Sequence, residues 1–208
     1  VLEYFGISED VLQYRIHGRS LLPVMRRETE TVHESTIYGY FGKQIAWTDG
    51  KYTYFRAAKD ETNQPLCVYT AMPTVLRQVY GGNDGVNAAD YKRIEMGRFL
   101  SWTDYPVYRF PADIIHWGND SQEFVGRSPF NTETLLFDIA ADYAQEHPIE
   151  NAELEHTCMM KLKQCMEQYD APAEQFVRMG LSPPGRMHTS YWKNKGVHFC
   201  RQYGMMRE

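Results

Sequence analysis

No stretch of this 208-residue chain approaches the roughly 18–20 consecutive apolar residues that a membrane helix needs. Basic excess is also missing. The net charge is −5, which argues against a broad surface for nucleic acid or anionic membrane. Cysteine is sparse: Cys67, Cys158, Cys165 and Cys200 stand far apart with no C-x-x-C pair. That spacing excludes a paired-cysteine zinc motif and reads as reduced, partly buried thiols rather than a disulfide framework. Reduced thiols favour the cytoplasm, and no targeting signal is legible. No G-x-S-x-G elbow, phosphate-binding P-loop or H-E-x-x-H motif is present.

What is present is an ordinary globular balance, 43% hydrophobic with 24% charged residues, which excludes a disordered chain. The opening VLEYFGI is amphipathic from its first residue and carries no helix cap. It reads as a helix entered partway, the tail of a pattern whose start lies upstream. His17-Gly18 reads as a turn, and residues 21–23 as a short buried piece.

Aromatics are concentrated in IYGYFGKQIAWTDGKYTYFR, residues 37–56, where seven surround one Asp49-Gly50. Asp-Gly between strand-like runs predicts a type I′ hairpin, because both central residues need positive φ. Pairing outward places Trp47 opposite Tyr52, Ile45 opposite Tyr54 and Lys43 opposite Arg56. One face becomes an aromatic ladder and the other, through Gln44, Ala46, Thr48, Lys51, Thr53 and Phe55, is mostly polar and wet.

Residues 65–70 read as a further strand, ended by Met72-Pro73. Glycine-rich 81–85 reads as a loop. Residues 100–111 are extended and aromatic, and Pro106 and Pro111 assign them to an edge or a coil. Residues 134–144 fit a helix through Leu135, Leu136, Ile139 and Tyr143, or a strand through Leu135, Phe137 and Ile139. The clearest helix spans 151–169, with Asn151 as cap and Leu154, Cys158, Leu162, Cys165, Met166 and Tyr169 on one apolar stripe. A second helix runs over 172–179 and stops at Gly180. The fold class is therefore α+β: a small antiparallel sheet of about four strands packed against C-terminal helices.

Groups able to do chemistry are scattered. The seven histidines show no metal-ligand spacing on a helical face. Asp104, Asp113, Asp120 and Glu123 bracket His116 at loop-like intervals, the pattern of solvated carboxylates. Asn119-Asp120-Ser121 fits a glycosylation sequon, a pattern too short to decide anything. Phe99, Trp102, Tyr105, Tyr108, Phe110 and Trp117 could stack on a sugar or an aryl group, or pack as a sheet edge.

Five segments, taken in order, resemble the sulfatase family of the alkaline-phosphatase-like superfamily. Leu2-Glu3-Tyr4-Phe5-Gly6-Ile7 resembles the helix end that closes the catalytic domain there. Gly18-Arg19-Ser20-Leu21-Leu22-Pro23 resembles the following Gly-x-Ser-Leu-Leu-Pro loop. Tyr38 to Arg56 is similar to the family's Tyr-Gly-x-Phe-Gly and Thr-Asp-Gly-Lys-Tyr-x-Tyr-Phe-Arg run. Cys67-Val68-Tyr69-Thr70-Ala71-Met72-Pro73-Thr74 resembles a Tyr-Thr-x-Met-Pro-Thr strand, and Leu135-Leu136-Phe137-Asp138-Ile139 with Asp142 a Tyr-Asp-Leu-x-x-Asp motif. The last match resolves 134–144 as strand and turn. The resemblance reaches about Leu181, and nothing beyond Pro183 resembles the family.

It implies a division at residue 27. Residues 1–27 would be the tail end of the N-terminal catalytic domain, and 28–208 the C-terminal subdomain, a small antiparallel sheet with a helix packed on it. The implied nucleophile is a formylglycine made in a C-x-P-S-R type motif, working beside Ca²⁺. None of the four cysteines sits in such a motif, so both cofactors would belong to the catalytic domain outside this chain, which alone would be inactive. The implied partners are that catalytic domain and a sulfated small molecule or carbohydrate, with no nucleic acid and no membrane. Arg98, Trp102, Asp104 and His116 lie in an irregular polar-aromatic stretch of the kind that edges a cleft. Apolar surface around Leu2, Phe5, Leu21 and Leu22 would be left exposed and would favour self-association. Two alternatives stay open: a phosphonate or phosphate ester hydrolase of the same superfamily, and a non-catalytic module that binds through its aromatic surface.

Overall fold

The aromatic segment supplies three consecutive strands of one sheet: β1 (Thr36–Gly39), β2 (Ile45–Thr48) and β3 (Tyr52–Arg56). The computed structural model describes residues 1–12, 16–73, 88–100, 102–114 and 133–184. The loop 81–85, His116, Asp120, Glu123, the sequon at Asn119 and Cys200 lie outside them. A second group of strands follows: β4 (Cys67–Thr70), β5 (Glu95–Gly97) and β6 (Val107–Pro111). β7 (Leu135–Asp138) then returns to the first group. Helices are α1 (Leu22–Met25), α2 (Ala88–Tyr91), α3 (Ala152–Gln168) and α4 (Ala173–Arg178). The result is an α+β fold with two antiparallel sheets, ordered β1-β2-β3-β7 and β4-β6-β5.

α3 is built as its sequence predicts. Asn151 caps it, its side chain accepting from the Leu154 amide at 3.0 Å. Cys158, Leu162, Cys165 and Met166 are buried along one stripe and pack with Trp47, Tyr54 and Leu136 from the four-stranded sheet. Both helix thiols are thus core packing. α4 adds Phe176 and Met179 to the same core, and the chain leaves it through Gly180 at φ +68°. Complete burial of side chains such as Trp47, Tyr54, Leu162 and Phe176 stabilises the fold by about 1.5–3 kcal/mol each.

The hairpin differs from expectation in register and turn. Trp47 pairs with Tyr54, Ala46 with Phe55, and Ile45 with Arg56. The central pair is Gly50-Lys51, with Asp49 flanking it, so each partner moves by two residues. The Asp49 carboxylate is the cause: its Oδ1 accepts from the amides of Lys51 (3.0 Å) and Tyr52 (2.8 Å). Gly50 alone has positive φ, the sign pattern of a type II′ turn. A slip of two preserves the faces, so Trp47 and Tyr54 still point to the core.

The opposite face is not wet. Ala46, Thr53 and Phe137 are buried there, and Phe55 meets both Tyr38 and Phe137 edge-to-face at centroid distances of 6.2 and 6.1 Å. Nor is β6 an edge. It is the central strand of its sheet, with Pro111 tolerated at its last position. Residues 134–144 form strand and turn, as β7 and the Asp138-centred bend. At the N-terminus the expected helix tail is a single 3-10 turn (Glu3–Phe5), His17-Gly18 makes no turn, and Leu21 is exposed rather than buried.

Candidate functional site

Arg98, Trp102 and Asp104 all lie on the connection between β5 and β6, residues 98–106, and all three are exposed, Trp102 by 51%. His116 is outside the described residues. Within the aromatic run some rings are buried and others exposed. Phe110 is fully buried and packs with Tyr108, whereas Trp102 and Tyr105 face outward.

Phe99 roots this connection. Its ring lies against the backbone of Gly97, so close that an added Cβ there would be 3.0 Å from the ring's Cζ. The guanidinium of Arg109 sits 4.5 Å from the ring centroid, and Tyr69 approaches to 6.1 Å. Tyr69 and Arg109 are direct partners across the β4–β6 ladder, and Arg109 is ion-paired with Glu95 on β5. The three strands thus converge on one side chain at the base of the exposed segment.

A buried polar centre continues from there. The Tyr69 hydroxyl donates to Glu174 Oε1 at 2.6 Å, joining β4 to the first turn of α4. Burial pushes the Glu174 carboxyl above its ordinary range, against the hydrogen bond from Tyr69 and the charges of Arg109 and Arg178. Burial, then the neighbouring Glu174 charge, also holds the Tyr69 phenol protonated far above its usual range. Cys67, two residues earlier on β4, is pushed up to about 11, chiefly by burial, so its thiol is a poor nucleophile at neutral pH.

Arg178 anchors the other end of α4. It is 2% exposed and donates to Asn63 Oδ1 (2.9 Å), the Lys43 carbonyl (3.1 Å) and Gln175 Oε1 (2.9 Å). Burial lowers its pKa to about 10, with Glu174 opposing the shift. Arg56 adds a bond to the Met179 carbonyl at 3.0 Å. This web locks α4 to the four-stranded sheet and to the connection leading into β4.

Neither Glu174 nor Arg109 is singled out by the sequence. Their partners are far off in the chain, and only the topology brings them together. Elsewhere, His17 Nε2 lies 3.1 Å from Asp170 Oδ2 and meets the Tyr169 ring edge-on, tying the N-terminal segment to the end of α3. Among the described residues no group of three His, Cys, Asp or Glu side chains is placed to hold a metal ion. A shallow depression lined by His156, Met160, Lys161 and Gln164 runs along α3 alone, open rather than enclosed.

The arrangement supplies an exposed polar-aromatic lip, carrying a cation, a carboxylate and two ring faces, on a buried polar base. Such a lip can bind and orient an anionic or planar group. No protein-family model matches the chain, and no curated protein matches it at a significant level.

Proposed function

We propose that this chain is the C-terminal portion of a sulfatase-like sulfuric ester hydrolase, completing its fold and edging its substrate cleft. The observation that carries the reading is a pairing. Two of the family-like segments, residues 38–56 and the one beginning at Leu135, stand about eighty residues apart, yet form neighbouring strands of one sheet, with Tyr54 opposite Leu136. α3 packs on that sheet. A small antiparallel sheet covered by a helix is what the resemblance implies for the subdomain.

In such an enzyme, formylglycine and Ca²⁺ supply the nucleophile and the charge stabilisation for attack at sulfur. Among the described residues none fits either group. The chain's cysteines lie outside any C-x-P-S-R motif, and its described carboxylates and histidines form no ligand set. In this reading the exposed connection contributes binding and positioning, with Arg98 directed at an anionic group and Trp102 at a ring or sugar face.

The test begins with the residues encoded upstream. A C-x-P-S-R or S-x-P-S-R motif there supports the enzyme, and its absence favours the aromatic binding module. The isolated chain is expected to show no metal-dependent sulfatase rate, and a measurable rate would overturn the assignment of roles. In the full protein, Arg98→Ala and Trp102→Ala should raise KM for an aryl sulfate by about tenfold, the scale of a lost charge-assisted contact. Matched aryl sulfate and aryl phosphonate substrates distinguish the sulfatase from the phosphonate ester hydrolase.

A further inference from the structure

We propose that the Tyr69–Glu174 hydrogen bond is a clasp that positions the connection after β5, residues 98–100 and 102–105, making Tyr69 and Glu174 positioning residues for whatever that connection binds. Glu174 belongs to the main body of the fold. Its helix is held there by the buried Phe176, Met179 and Arg178. Tyr69 belongs to the other sheet, on β4, and its hydroxyl reaches Glu174 Oε1 at 2.6 Å. The Lys59 amide donates to the Arg178 carbonyl and the Arg178 guanidinium donates to Asn63 Oδ1, which holds the connection before β4, but the clasp grips the strand itself.

From Tyr69 the path to the surface is short. Tyr69 faces Arg109 across the ladder, and both touch the Phe99 ring, which rests on Gly97. Phe99 is next to Arg98 and begins the run to Trp102, Asp104 and Tyr105. Displacement of the Tyr69 ring therefore removes one wall of the Phe99 seat, and the exposed segment loses its root. The contribution of this clasp to substrate binding rests on the reading of 98–105 as the edge of a cleft; the clasp itself does not.

Amide hydrogen exchange on the purified chain separates the two. Tyr69→Phe removes one hydroxyl and keeps the ring, whereas Glu174→Ala removes the acceptor. Both should raise exchange across 98–105 by about three- to tenfold, the range expected for one lost hydrogen bond. Exchange in α3 should stay at the wild-type level. Glu174→Gln, which keeps an acceptor oxygen, should restore protection to within about twofold of wild type. The clasp is overturned if either Tyr69→Phe or Glu174→Ala leaves 98–105 unchanged, or loosens α3 equally. It is also overturned if Glu174→Gln opens the segment as far as Glu174→Ala does. In the full protein, Tyr69→Phe should raise KM with kcat unchanged. Faster exchange without a KM effect would retain the clasp and reject the cleft-edge reading.

Discussion

Glu174 sets an unusual pH dependence at the scale of a single residue. Burial raises its folded-state pKa despite the bond from Tyr69 and two nearby guanidinium groups. Well below the unfolded value, both folded and unfolded chains hold the proton, and the stabilising contribution is complete. As pH rises past the unfolded value, the unfolded chain releases its proton first, so the contribution drains until the folded pKa is passed. This is opposite in sign to a salt-bridged carboxylate. Glu174→Gln removes the titration and should therefore gain stability relative to wild type between about pH 4 and pH 8. Urea midpoints of the two proteins at both pH values check this, and a constant difference would contradict it. Cys158 and Cys165 were legible as core residues because helical spacing alone assigns them to a stripe. Glu174 was not, since its environment depends on Tyr69, which lies 105 residues away in sequence.

At the scale of elements, legibility follows how local the determining forces are. α3 reads correctly to within a residue because its cap and stripe are contiguous in sequence. The hairpin's existence and its core face were equally legible, while its register was not. The Asp49 side chain competes for the turn's amides and moves the Asp-Gly pair off centre. β6 misled in a different way. Its prolines suggest an edge, but Pro106 precedes the strand and Pro111 ends it, so neither interrupts the central ladder. The burial of Ala46 and Thr53 needed knowledge of the Tyr38, Phe55 and Phe137 rings that crowd that face. The α3–sheet contact carries a stability prediction of its own. Leu162 is fully buried between helix and sheet, and Leu162→Ala should cost about 2–5 kcal/mol. The expected signature is a lower denaturant midpoint with an unchanged slope.

For the whole molecule, the uneven distribution of apolar exposure matters most. Trp47, Tyr54, Leu162 and Phe176 are fully buried in the main core, whereas Val1, Tyr4, Phe5, Val11, Leu21 and Met25 are each more than 60% exposed. All six belong to residues 1–27, the part that the family resemblance assigns to a neighbouring domain. Single exposed apolar side chains need no explanation, and Tyr40, Met72, Tyr105 and Tyr143 are as exposed elsewhere, but six within residues 1–27 make this segment the one to test for cover. Phe5 and Leu21 are exposed, while Leu2 and Leu22 are half-buried; for Leu21 this departs from the buried piece that residues 21–23 suggested and agrees with the interface expectation. If a neighbouring domain covers this segment, as the proposed reading has it, the isolated chain should self-associate as concentration rises, and light scattering should report a mass above the 24.3 kDa of one chain. Phe5→Ser combined with Leu21→Ser should return the mass toward the monomer while leaving the α3 core and its unfolding midpoint unchanged. A chain that is monomeric at every concentration tested, before any substitution, would mean that this surface needs no cover, and the case for a docked catalytic domain would lose its physical basis.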